Sequence, residues 1–183
     1  MCIRDRDQVT HFMEEHLKKS KRYEDDKILT KTMINNYTKN KLLPPSEKKR
    51  YTKEHLLILI FIYYFKSFLP LSDIQAILTP LTNRFFNSDD SFGIEEVYSE
   101  IYELGRTQIG ETIHDIMDNF HSAANSFKDF PKEDQEFMQI FSFICLLSFD
   151  IYLKKEVIEK MLDALPKQAS NKKSGESRSK RTS

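Results

Sequence analysis

The sequence predicts an all-α, mainly helical protein, and three observations support this prediction. Apolar residues recur over long segments with a period of 3.6 residues, which is the spacing of one helix face. Only 4 Gly and 6 Pro occur among the 183 residues, so few positions interrupt a helix. With 39% hydrophobic and 31% charged residues, the composition is that of a soluble protein whose length allows one domain, or a small unit joined to a second helical module.

Charge is divided into blocks along the chain, although the formal net charge is zero. Twelve basic residues stand against four acidic ones between Lys18 and Lys53, and seventeen acidic against seven basic ones between Thr82 and Leu165. The tail from Pro166 to Ser183 has six basic residues and one acidic residue. A basic block in front of an acidic helical half is typical of a nucleic-acid-binding unit joined to a partner-binding unit, with plain solvated helix faces as the alternative.

The first predicted element is an amphipathic helix from Asp7 to Leu17 with Val9, Phe12 and Met13 on its apolar side. The preceding segment, Met1 to Arg6, shares no pattern with this helix and has neither the apolar stretch nor the cleavage site of a secretion signal. We interpret it as a remnant of cloning or sequence assembly.

A second, shorter helix is predicted from position 31 to position 39, with Thr30 as its N-cap. At 100° per residue, Met33, Ile34 and Tyr37 fall on one face, and amide, hydroxyl and lysine side chains fall on the opposite face. Asn can pair with adenine in the major groove, Thr can meet a base edge, and Lys can reach guanine or phosphate. The candidate base-reading residues are Lys31, Thr32, Asn35, Asn36 and Lys39. An ordinary polar surface helix is the alternative.

Next, two short strands are predicted on either side of a turn at Pro44-Pro45, which together make a wing-like hairpin. Cations along such a hairpin would contact phosphates and displace condensed counterions. The candidate residues of this segment are Lys41, Lys48, Lys49, Arg50, Tyr51 and Lys53.

Two packing helices are predicted after the wing. The first is opened by Thr52, is apolar nearly all round as far as Phe65, and is ended by Pro70. The second is expected to start with a capping box at Ser72 to Gln75 and to pack through Ile74, Ile77, Leu78 and Leu81.

The run from Leu29 to Leu81 resembles the DNA-binding domain of the MerR family. That family combines a recognition helix starting at Thr and ending at Tyr, a Gly-Leu-Leu-x-Pro strand, a basic Arg-Tyr wing and two packing helices. The corresponding segments here are Thr30 to Tyr37, Lys41 to Pro45, Arg50 to Thr52 and Leu71 to Leu78. The chain also resembles a bacterial family, domain of unknown function 1836, through Asp-Gln-Val near its start and Thr-x-x-Met-Ile-Asn-Asn-Tyr in its middle.

The MerR resemblance implies a winged helix-turn-helix with a small β-hairpin wing, followed by a C-terminal helical module. It implies a homodimeric transcription regulator that binds double-stranded DNA, and it leaves a small-molecule effector open. No cofactor is expected, and the separated cysteines, Cys2 and Cys145, favour a reduced, cytoplasmic setting because neither has a CxxC spacing. The expected divisions are a DNA-binding domain at 7–81, a helical dimerisation or regulatory module at 82–165 and a disordered basic tail at 166–183. Asn35 and Asn36 depart from the family, which usually has Arg just before the aromatic residue, so no base preference carries over.

Two or three helices are predicted in the C-terminal half, with breaks near Gly105 and Gly110 and a start at Pro131. Ile140 to Phe149 is the longest apolar run and is interpreted as core, because no stretch reaches the roughly 18 apolar residues of a membrane span. Two apolar stripes are expected to pack on each other, either closing a monomeric core or forming the dimer interface that the MerR resemblance implies. They are Ile109, Ile113, Ile116, Met117, Phe120 and Ala124, and Phe137, Ile140, Phe141, Ile144, Leu147 and Ile151.

Motifs for catalysis and metal binding are not found. Glu111, His114, Asp118 and His121 share one helix face, but that face lies opposite the apolar stripe and is interpreted as a solvated surface rather than a metal site. The sequence has no Gly-rich phosphate loop, Gly-x-Ser-x-Gly motif, His-Glu-x-x-His motif or paired-Cys site, so no enzymatic activity is expected. The competing hypothesis is a helical protein-interaction adaptor with a degenerate winged helix.

Overall fold

The computed structural model describes residues 5–88 and 91–165, which form six α-helices and one 3-10 turn and contain no strand. The prediction of an all-α, mainly helical protein is confirmed. The expected disordered tail at 166–183 lies outside the described residues. The helices are α1 (Arg6–Leu17), α2 (Lys31–Lys39), α3 (Lys53–Phe65), α4 (Leu71–Phe85), α5 (Ile94–Ala124) and α6 (Lys132–Asp163), with the 3-10 turn at Lys18–Ser20.

Helix α3 lies at the centre of the hydrophobic core. Because α3 is apolar on nearly all sides, α1 and α4 can each pack an apolar face against it, and α2 packs on α1 at the edge of the same core. The start of α5 and the end of α6 complete the enclosure, α6 through Ile158 and Leu162. The core residues with almost no exposed surface are Val9, Met13, Ile34, Leu42, Leu43, Ile58, Leu59, Ile62, Ile74, Leu78 and Ile94.

Two predicted helix starts differ from the structure. Helix α1 begins at Arg6 and is capped by Asp5, whose carboxylate accepts the Gln8 backbone N–H at 2.9 Å, so residues interpreted as a remnant belong to the fold. Helix α4 begins before the predicted capping box, because the Pro70 carbonyl already accepts the Ile74 N–H at 3.2 Å. Ser72 therefore lies in the first turn of α4 and is not its N-cap.

Helices α5 and α6 form a long antiparallel hairpin, which we call the arm. The 31 residues of α5 and the 32 of α6 correspond to about 46 and 48 Å of helix. The predicted start at Pro131 is confirmed, whereas the predicted breaks at Gly105 and Gly110 are wrong, since α5 runs through both glycines. A single Gly costs a helix only about 1 kcal/mol, which a helix packed along a partner tolerates.

The apolar stripes of the arm face outward in the protomer. The edge of the stripe still touches the partner helix, where Phe120 of α5 meets Phe143 of α6 edge to face at 5.6 Å. Two helices can cover only one side of each other, so Ile113 is 56% exposed and Ile144 is 54% exposed. The interpretation of Ile140 to Phe149 as core is therefore wrong for the single chain. We call the exposed set the arm surface: Ile109, Ile113, Ile116, Met117, Phe120, Phe137, Ile140, Phe141, Ile144 and Ile151.

Helix α6 also has the length and composition to cross a membrane. Its most apolar 18-residue window has a mean hydropathy of 1.5, and none of that window is buried inside the protomer. The expectation that no segment of the chain is apolar enough for a membrane span is corrected. A mean hydropathy over 18 residues tolerates isolated charges such as Asp150, whereas an unbroken apolar stretch does not.

Candidate nucleic-acid interface

Helix α2 presents its polar face to solvent, as predicted. The Thr30 hydroxyl accepts the Met33 N–H at 3.1 Å and fixes the start of the helix. Ile34 and Tyr37 are buried and anchor the opposite face on the core, and this burial raises the pKa of the Tyr37 phenol. The exposed residues are Lys31, Thr32, Asn35, Asn36 and Lys39, the five residues predicted to read bases.

The chain leaves α2 through a tight C-terminal cap. Lys41 has φ 57, the left-handed conformation, and its N–H donates to the Thr38 carbonyl at 3.1 Å while the Leu42 N–H donates to the Tyr37 carbonyl at 2.9 Å. This pair of bonds is the Schellman motif, which usually has Gly at the position that Lys41 occupies. The cap turns Leu42 and Leu43 into the core, and it replaces the strand that was predicted from Lys41.

The predicted wing is a tight turn and not a two-stranded hairpin. Glu47 and Arg50 form one antiparallel bridge, with the Arg50 N–H donating to the Glu47 carbonyl at 2.8 Å. Lys48 and Lys49 lie between them with φ 47 and 64, the left-handed values that a type I′ turn requires at both central residues. The predicted turn at Pro44-Pro45 was misplaced, because prolines lack the N–H that extends a ladder. Both lysines are exposed at the tip, which we call the basic turn.

A groove of about 370 Å³ separates α2 from the basic turn. Its lining contains three cations and no carboxylate among the described residues, so we call it the cationic groove. Its walls are Arg6, Asn35, Thr38 and Lys39 on the helical side, and Pro45, Ser46, Lys49 and Tyr51 on the side of the turn. Four of the predicted DNA-binding residues, at positions 35, 39, 49 and 51, therefore lie together, although they are separated in the sequence.

Arg6 is a residue of this groove that sequence reasoning missed. Its guanidinium donates to the Asn35 side-chain oxygen, and the neighbouring Asp7 pairs with Lys31. Both contacts tie the start of α1 to the polar face of α2. A sequence signal existed, since Asp5 followed by helix formers is an N-cap pattern that would have included Arg6 in the helix.

The remaining predicted residues lie outside the cationic groove. Lys48 and Arg50 line a second cavity of about 310 Å³ on the other side of the turn, together with Glu47, Thr52, His55 and Asn87. Lys53 forms an ion pair with Glu95 of α5, and Lys41 is exposed at the end of α2. The candidate interface thus has one concave cationic centre with further cations around it.

Comparison with known protein families finds a match to the Domain of unknown function (DUF1836) family over residues 6–101. This match covers just over half of the chain. The chain belongs to this family. Every residue that lines the cationic groove falls within the DUF1836 match, whereas the match ends early in α5 and leaves most of the arm outside it. No curated protein and no solved structure matches the chain.

The polar face of the arm holds no metal cluster within the described ranges. His114 and Asp118 lie 3.5 Å apart and are both exposed, but no group of three potential ligands converges there. Cys145 is a free, half-buried thiol on α6.

Proposed function

We propose that this DUF1836 protein is a DNA-binding transcription regulator of the bacterial cytoplasm. In this proposal α2 enters the major groove of double-stranded DNA, and the basic turn contacts the phosphate backbone. The observation that carries it is the cationic groove, in which Arg6, Lys39 and Lys49 flank the amide of Asn35 without a carboxylate in the lining. Cations around an exposed amide suit DNA, since the cations bind phosphates and an Asn side chain discriminates adenine.

The proposal includes a MerR-like arrangement of this segment, and three backbone features favour that part of it. Lys41 stands where the Gly-Leu-Leu pattern has Gly, and its backbone has the left-handed conformation that favours Gly. The basic turn stands where the pattern has its wing, although one bridge replaces the expected strands. Two consecutive lysines held at positive φ are energetically unfavourable, and such conformations cluster at functional sites.

The same proposal includes a homodimer formed through the arm. The arm surface exposes ten large apolar side chains along two helices, more than an isolated soluble protomer ordinarily leaves to water. A second arm packed on the first would convert the two-helix layer into a four-helix bundle. Two copies of α2 would then be available for two half-sites, which in dimeric helix-turn-helix proteins lie about 34 Å apart or a multiple of that distance.

A protein-interaction adaptor is the second candidate, and the arm surface is the observation that favours it. In that case a different protein covers the arm, and the cationic groove has no role in DNA binding. A pull-down that recovers a stoichiometric partner, with DNA affinity unchanged when Lys48, Lys49 and Arg50 are neutralised, would favour the adaptor.

Selection of bound sequences from random DNA, after a low-salt gel shift with genomic fragments, tests the regulator directly. We expect a shift of the fragments and enrichment of one motif. On the selected site, Asn36→Ala should lose about 1–3 kcal/mol of binding free energy, and on unrelated DNA it should lose little, because Asn36 is exposed on the base-reading face. Absence of any shift at low salt would refute the proposal.

A further inference from the structure

A second groove lies between α3 and α5, on a part of the surface that the proposed DNA contacts do not use. It has a volume of about 370 Å³, within the range of small-molecule sites, and half of its lining residues are aromatic. We call it the aromatic groove. The residues used in the following argument are Phe61, Tyr64, Tyr98, Tyr102, Gly105 and Arg106.

The aromatic rings of this groove are arranged as adjoining faces and edges. Phe61 meets Tyr98 edge to face at 5.6 Å, and Tyr98 stacks on Tyr102 at 6.2 Å with only 14° between the ring planes. Tyr64 is exposed at the mouth. Rings at these separations contact one another and form a continuous aromatic wall, on whose outer side a further planar ring can stack.

Three tyrosine hydroxyls and one guanidinium are the polar side-chain groups of this groove. Burial raises the pKa of the Tyr98 phenol, and the nearby Tyr64 and Tyr102 raise it further. Arg106 is the only ionised side chain in the lining, and its bond to Glu103 at 3.1 Å uses Nε, which leaves the terminal nitrogens of the guanidinium fork for another acceptor. Glu103 neutralises part of the Arg106 charge, and the terminal nitrogens of the guanidinium remain as the donors that an anion can bind.

We propose that the aromatic groove binds a small planar aromatic carboxylate, with its rings against the wall of Phe61, Tyr98 and Tyr102 and its carboxylate at Arg106. A bicyclic acid is the size class that the volume fits. This inference does not depend on DNA binding, because the groove shares no residue with the cationic groove.

Gly105 provides a sharp test. A Cβ added at Gly105 would meet no atom within 4 Å, and the same holds for Gly110, five residues and about 140° further round the helix. Gly105 lines the groove and Gly110 does not. Gly105→Leu should therefore fill the groove without strain, and Gly110→Leu is a matched control, since both changes put the same good helix former in the same helix.

The measurement is calorimetric titration of the full chain with 2-naphthoate, with neutral 2-naphthamide as the comparison ligand. Wild type and Gly110→Leu should bind 2-naphthoate equally, and Gly105→Leu should bind at least about tenfold more weakly because it occupies the space of the rings. Arg106→Gln should weaken 2-naphthoate about three- to tenfold and leave 2-naphthamide unchanged, because only the acid uses the guanidinium. Circular dichroism checks that each variant is folded.

Three results would overturn the inference. The first is absence of 2-naphthoate binding to wild type, and the second is an equal loss in both glycine variants. The third is a change of oligomeric state in Gly105→Leu alone, measured by light scattering, because it would mean that a second copy of the chain occupies the groove.

Discussion

The buried imidazole of His55 accepts the backbone N–H of Thr52 through Nδ1 at 3.0 Å, and this contact completes the capping box of α3. An acceptor at Nδ1 requires the neutral ring, which then carries its proton on Nε2. Nε2 is buried near the carbonyls of Pro44 and Pro45 without hydrogen-bond geometry to any described residue. The rings of Tyr51 and Phe86 pack edge to face against the imidazole, and their centroids lie 5.3 and 4.7 Å from the imidazole centroid.

Stability should fall in mild acid because of His55. Burial lowers the pKa of the His55 imidazole below its ordinary value of 6.5, so the unfolded chain takes up a proton more readily than the folded chain. Its contribution to stability is complete above pH 6.5, is lost as the pH falls through 6.5 toward the lowered pKa, and changes no further below it. Denaturant unfolding of wild type at a series of pH values from 7.5 to 5 measures this loss.

His55→Gln is the control for the pH experiment, since Gln can accept at the same N3 position of the capping box and does not titrate. Its free energy of unfolding should depend less on pH between 7.5 and 5 than that of wild type. An identical pH dependence in the two proteins would show that other groups cause the acid loss.

Lys41 should be replaceable by Gly with a gain in stability. A residue with a Cβ in the left-handed conformation costs about 1–2 kcal/mol, and Gly does not carry this cost. Lys41→Gly should raise the free energy of unfolding by about 1 kcal/mol, and Lys41→Ala, which keeps the Cβ, should not. Chemical denaturation of both variants makes the comparison, and a gain in Lys41→Ala as large as that in Lys41→Gly would contradict the assigned backbone conformation.

Charge on the arm surface should dissociate the proposed dimer. Ile113→Glu changes a side chain that is 56% exposed in the protomer, so the folded monomer should lose little stability. A dimer that buries this position would have to desolvate the new charge, so its dissociation constant should rise roughly tenfold or more. Gln108→Glu adds the same charge at an exposed polar position of α5 and serves as the control. Sedimentation equilibrium measures both. A wild-type chain that stays monomeric, or that needs lipid vesicles to stay in solution, would argue against the dimer.

The elements that sequence predicts well are those with local signals. Thr30 before an amphipathic run predicts α2, and the continuous apolar run after Thr52 predicts α3, because a cap and a face are properties of neighbouring residues. The turn was predicted at Pro44-Pro45 and not at Lys48-Lys49, because a Lys-Lys pair is not the Asn-Gly sequence that usually indicates a type I′ turn.

Contacts between residues far apart in the chain could not be predicted from the sequence. The contact of Arg6 with Asn35 depends on how α1 lies across α2, which no local pattern contains. Similarly, periodicity groups Ile113 with Met117 on one face of α5, but it does not tell whether the same chain or another molecule covers that face.

The salt dependence of DNA binding tests the central claim most directly. For wild type on non-specific duplex DNA, the logarithm of the binding constant should fall linearly with the logarithm of salt concentration, by about 0.9 per phosphate contacted. Lys49→Gln should reduce this slope by about 1, because Lys49 lines the cationic groove at the tip of the basic turn, and Lys132→Gln at the far end of the arm should leave it unchanged. A wild-type slope near zero, or equal slopes for Lys49→Gln and Lys132→Gln, would contradict the account.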